Sequence, residues 1–112
     1  MKLAVLILNR EEHLETLLEG LIEIGITGAT IIDSIGMGHI LSTDVPIFAG
    51  LRFMFAGSRP YNKTILSIIN EEKVNGLKKL ATNILGPLEE SGNGILFFID
   101  IADVVGLKPE IG

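Results

Sequence analysis

Twice along the chain an aliphatic run passes straight into a helical pattern and then into a second short apolar run, and this order of elements restricts the fold more than any other feature. Residues 2–8 form a continuous aliphatic run, the signature of a strand buried on both faces. Asn9 then offers an N-cap with Glu12 three residues on, the spacing of a capping box. Leu14, Leu17, Leu18, Leu21 and Ile22 repeat at i, i+3, i+4, i+7 and i+8, with Glu11, Glu12, Glu15, Glu19 and Glu23 mostly opposite them. An amphipathic helix is expected there, stopped by Gly25 at its C′ position.

Residues 29–35 read as a second strand ending at Gly36. Beyond it Gly36, Gly38, Pro46, Gly50, Gly57 and Pro60 break any continuous core element, so the sequence predicts a long loop over about 39–62. Residues 63–69 alternate loosely and are rich in β-branched side chains, which suits a third strand, although Ile65, Ile68 and Ile69 also fit a helix. Over 71–85, Val74, Leu77, Leu80, Ala81, Ile84 and Leu85 repeat at helical spacing behind Glu71 and Glu72, and Gly86-Pro87 closes that helix. The turn Ser91-Gly92-Asn93-Gly94 leads into a fourth strand at 95–99. The expected architecture is α+β: a ferredoxin-like βαββαβ sandwich in a single domain, 1–112, with a long loop between the second and third strands.

Both helices of such a fold cover the same sheet face. With 47% hydrophobic but only 5% aromatic residues, the chain would carry aliphatic side chains on the other face too, and association with further copies would bury them. The net charge of −5, nine basic residues against fourteen acidic ones, opposes general nucleic-acid binding, which needs clustered Lys and Arg. No apolar run approaches the length of a membrane span, and with no cysteine there is neither a disulfide nor a thiolate metal site. These features are read as those of a soluble cytoplasmic protein.

The segment Gly25-Ile26-Thr27-Gly28-Ala29-Thr30, a short strand, then Gly36-Met37-Gly38 matches Gly-Ile-Thr-Gly-x-Thr followed by Gly-x-Gly, and here the chain resembles the PII signalling proteins. The likeness runs over essentially the whole length. It implies a homotrimer that binds adenine nucleotides in clefts between subunits and docks on a regulated protein through the long loop, the T-loop. Carried over position by position, Thr30 falls on the adenine side and Gly36 and Gly38 at the T-loop mouth, with His39 where an Arg often stands. Gly92, Asn93 and Gly94 fall on the Gly-Asp-Gly turn that presents N–H groups to phosphate, and Lys108 on one of two arginines beyond the last strand. Two cations and one amide are replaced: Ile95 stands for a Lys, Gly106 for the second Arg and Ile40 for a Gln. A charged hydrogen bond is worth roughly 1.5–3 kcal/mol, so losing even two would weaken ATP by at least about a hundredfold. Any adenine nucleotide is therefore expected to bind weakly, and Glu89-Glu90 beside the turn points the same way.

In the loop, Ile47, Phe48, Leu51, Met54 and Phe55 recur at helical spacing after Pro46. Phe48, Leu51, Arg52, Phe53 and Phe55 are the expected partner-binding residues, presented on a short amphipathic helix. Tyr61, at the loop's base, is not a counterpart of the tyrosine that some PII proteins have modified. No Ser-His-Asp order, paired-carboxylate signature, Walker motif or dinucleotide fingerprint recommends an enzyme, and no catalytic or metal-ligating residue is assigned. Two further readings are a trimeric interaction protein without ligand sensing and a metal-binding trimer of the CutA type, the latter supported only by scattered His and Met residues.

Overall fold

The computed structural model describes residues 1–37, 40, 61–90 and 92–108. Four strands, β1 (Lys2–Leu8), β2 (Thr30–Ile35), β3 (Tyr61–Ile69) and β4 (Ile95–Asp100), and two helices, α1 (Leu14–Glu23) and α2 (Val74–Leu85), form an α+β unit. The sheet order is β2-β3-β1-β4 and every adjacent pair is antiparallel. Residues 61–69 are strand throughout, which settles their ambiguous periodicity. Among the described residues no helix is long and apolar enough to cross a membrane.

Both helices begin differently from the expectation. Asn9 does not cap α1: Glu11–His13 form a 3₁₀ turn whose N-cap is Arg10, with no side-chain capping bond. The tighter turn lets the His13 N–H reach the Arg10 carbonyl at 3.1 Å, so the backbone meets a need that a capping box would have met. The entry to α2 repeats this, with Glu71–Lys73 in a 3₁₀ turn and Lys73 N–H on the Asn70 carbonyl at 3.0 Å. The end of α1 is as expected. Gly25 takes φ 85°, its N–H bonds the Ile22 carbonyl at 3.0 Å, and the Ile26 N–H bonds the Leu21 carbonyl at 2.8 Å. This is a Schellman motif, and Ile26 and Leu21 are both buried in the same apolar cluster.

Directly paired residues in antiparallel strands share a face. Ala4, Leu6 and Leu8 of β1, Ile65 and Ile69 of β3, and Leu96 and Phe98 of β4 lie on one face and pack with Leu17 and Leu21 of α1 and Leu77 and Leu85 of α2. The two helices also meet each other, with Leu80 closing over Gly20. The opposite face bears Leu3, Val5 and Ile7 of β1, Leu66 and Ile68 of β3, Ile32 of β2, and Ile95, Phe97 and Ile99 of β4. No helix among the described residues covers it: Ile95, Phe97 and Ile99 are 57%, 41% and 48% exposed. At one corner of that face the Ser34 hydroxyl bonds Asn62 and lies 2.9 Å from the Thr64 hydroxyl.

Candidate functional site

The strand register fixes where the expected site residues fall. Thr30 pairs with Leu66, Leu66 with Val5 and Val5 with Phe97, so Thr30 lies level with the middle of β4 but on the opposite edge of the sheet. Ile32, Thr64, Ile7 and Ile95 form the next such row, which puts the turn before Ile95 at the end of the sheet where β2 finishes and Gly36 follows. Gly36 and the Gly92–Gly94 turn are thus at the same end but on opposite edges, three strand spacings or roughly 14 Å apart. One copy of the chain does not bring these residues into one cleft. Gly38, His39, Phe48, Leu51, Arg52, Phe53 and Phe55, with the expected loop helix, lie outside the described residues.

The glycine turn is shaped largely by its own packing. The Asn93 side chain is turned inward, 8% exposed, and its Nδ2 donates to the Pro87 carbonyl at 2.7 Å. It clamps the segment that follows α2. Gly94, at φ 126°, runs so close to β1 that an added Cβ would sit 2.7 Å from the Ile7 carbonyl oxygen. Gly92, at φ 85°, borders open space and is the residue of the three best able to face a ligand.

Among the described residues, two of the hollows flank the sheet. One, of about 500 Å³, lies between α2 and the outer edge of β4, with Lys78, Thr82, Leu88, Glu89, Gly94, Ile95, Leu96 and Phe98 around it. The other, of about 300 Å³, is bounded by Leu3, Gly28, Ala29, Thr30, Leu66, Ser67, Ile68 and Leu107. Leu107 lines this second hollow and Lys108 follows it, so two of the expected site positions, Thr30 and Lys108, come to the same region. Gly28 contributes its carbonyl, which accepts from the buried Ser67 hydroxyl at 2.6 Å.

Six charged side chains are already committed to ion pairs elsewhere. Lys2 pairs with Asp100 and stands 4.0 Å from Glu71, while Lys63 pairs with Asp33 and stands 3.8 Å from Glu11. The hydrogen bond to Asp100 holds Lys2 above its ordinary value, that to Asp33 does the same for Lys63, and Lys2 in turn holds the Asp100 carboxyl below its own. At the positions of the replaced cations and amide, Ile95 and Ile40 are exposed and Gly106 stands in open space. Among the described residues no group of three or more His, Asp or Glu side chains is placed to hold a metal ion.

The residues that periodicity did not single out are Lys78, Thr82, Leu88 and Leu107. Lys78 adjoins the apolar stripe of α2, and only the docking of that helix against β4 turns its ammonium group toward a hollow. Comparison of the chain with family models and with curated proteins finds no match.

Proposed function

We propose that the chain is a PII-like regulatory protein, a homotrimer that senses a small metabolite in clefts between its subunits and signals through the 39–62 loop. The observation that carries this reading is the sheet itself. Its four antiparallel strands with both helices on one face are compatible with the ferredoxin-like arrangement expected for the family, and they leave an aliphatic face for subunits to bury. The separation of Thr30 from the Gly92–Gly94 turn supports it further. These residues lie on opposite edges of one copy, and a cleft between neighbouring copies is the arrangement that unites them.

The missing cations at Ile95 and Gly106, with the missing amide at Ile40, favour a ligand of low charge over ATP. Sedimentation velocity and a thermal-shift panel test the reading together. A trimer at micromolar concentration, stabilised by about 2.7 kcal/mol when a metabolite stands at a hundred times its Kd, is the expected result. A monomer would remove the inter-subunit cleft and the proposal with it. Calorimetry with ATP is expected to show an affinity far weaker than micromolar, and a sub-micromolar value would mean that other basic residues enter the cleft.

One observation favours a second reading, an interaction protein without ligand sensing. Asn93 and Gly94 are fully accounted for by packing, so their retention does not require a ligand. A trimer inert to the whole metabolite panel, yet retaining a partner through the loop, would favour it.

A further inference from the structure

The hollow between α2 and β4 is a site within one chain, and its lining is unusual in composition. Leu88, Leu96 and Phe98 supply apolar walls, and Lys78 and Glu89 place one cation and one anion on the same space. None of the ion pairs among the described residues involves either charge. The Lys78 ammonium lies 6.0 Å from the centre of the Phe98 ring, at the outer reach of a cation–π contact, which places an exposed cation over the apolar wall. The volume of about 500 Å³ falls within the ~300–1,000 Å³ range of small-ligand sites.

Charge decides the ligand class. A polyphosphate would meet Glu89, a simple cation would meet Lys78, and a wholly apolar molecule would desolvate both without compensation. A ligand bearing one charge of each sign on an apolar body satisfies all three features. We propose that this hollow binds a free apolar α-amino acid, with its carboxylate on Lys78, its ammonium on Glu89 and its side chain against Leu88, Leu96 and Phe98. The assignment rests on the reading of the chain as a metabolite sensor, but not on its oligomeric state.

The test is calorimetry of the full chain with L-leucine, with isoamylamine, which lacks the carboxylate, and with 4-methylpentanoate, which lacks the amine. Leucine is expected to bind saturably and about tenfold more tightly than either analogue. Lys78→Gln should weaken leucine by about tenfold and leave isoamylamine unchanged, while Glu89→Gln should weaken leucine and leave 4-methylpentanoate unchanged. Both positions are exposed, so the variants keep the fold. Absence of saturable leucine and phenylalanine binding at millimolar concentration would overturn the proposal, as would equal affinity for leucine and its two analogues. A thermal shift with an adenine nucleotide but none with an amino acid would overturn it and leave the sensor reading standing. No shift with any metabolite would remove both.

Discussion

Gly94 and Asn93 do more for the fold than their place in a glycine-rich turn suggests. At Gly94 an alanine would have to hold φ 126° and set its Cβ 2.7 Å from a backbone oxygen that cannot turn aside. Gly94→Ala is therefore expected to cost roughly 2–4 kcal/mol, read as a lowered urea midpoint at unchanged slope. Asn93→Ala takes away the Nδ2 that serves the Pro87 carbonyl and empties a buried position, for about 1–3 kcal/mol. Gly92→Ala lacks any steric conflict and carries only the backbone cost of about 1 kcal/mol. If all three changes proved equally mild, the packing account of this turn would be wrong.

At the scale of elements, the two halves of the unit are built alike. Each helix is entered through a 3₁₀ turn headed by two glutamates, and one glutamate of each turn approaches a strand lysine already bonded to an aspartate on the neighbouring strand. Lys2 so links β1 to β4 and the entry of α2, and Lys63 links β3 to β2 and the entry of α1. These pairs are exposed, so they set register and orientation more than they stabilise.

Their pH dependence has a definite sign. Asp100 is held below its ordinary 3.8, so its contribution is complete above that value and is lost as pH falls through the lowered one. Lys2 is held above its ordinary 10.5, so its contribution is complete below that value and is lost as pH rises through the raised one. The difference in urea midpoint between the native chain and Asp100→Asn should accordingly be level between these limits, narrow beyond both, and shrink in about 1 M salt. A difference that grew toward low pH would contradict the pairing.

Element types were legible in the sequence because helical periodicity holds in both helices, short aliphatic runs mark the strands, and Gly25 and Gly86 mark real helix ends. Helix starts were less legible, since Asn9 has the chemistry of a cap while the choice between side-chain and 3₁₀ satisfaction depends on how the turn meets the sheet. The site was legible only as a set of positions. That Asn93 faces inward, or that Lys78 overhangs Phe98, follows from tertiary contacts that no local pattern encodes.

For the whole molecule, the sheet face that no helix among the described residues covers decides behaviour in solution. Phe97 lies on this face with Val5 beside it in the register, and Phe97→Glu would place a charge in any interface formed there. Loss of the oligomer with retained secondary structure is expected, measured by light scattering and circular dichroism. An assembly unaffected by the change would have to use another surface, such as the outer edges of β2 and β4. There is a hazard here too, because among the described residues no strand pairs with the outer edge of β4.

The position of β1 has a consequence in time. It lies between β3 and β4 in the sheet, yet both follow it in the chain, and Lys2 is 98 residues from the Asp100 it pairs with. At a synthesis rate of about 5–20 residues per second, an aliphatic segment that is to be the middle of the sheet waits roughly 5–20 s for its second neighbour. Over that interval nothing in the nascent chain can close its ladder on the β4 side. During that interval the finished fold cannot keep the segment from pairing with a wrong strand.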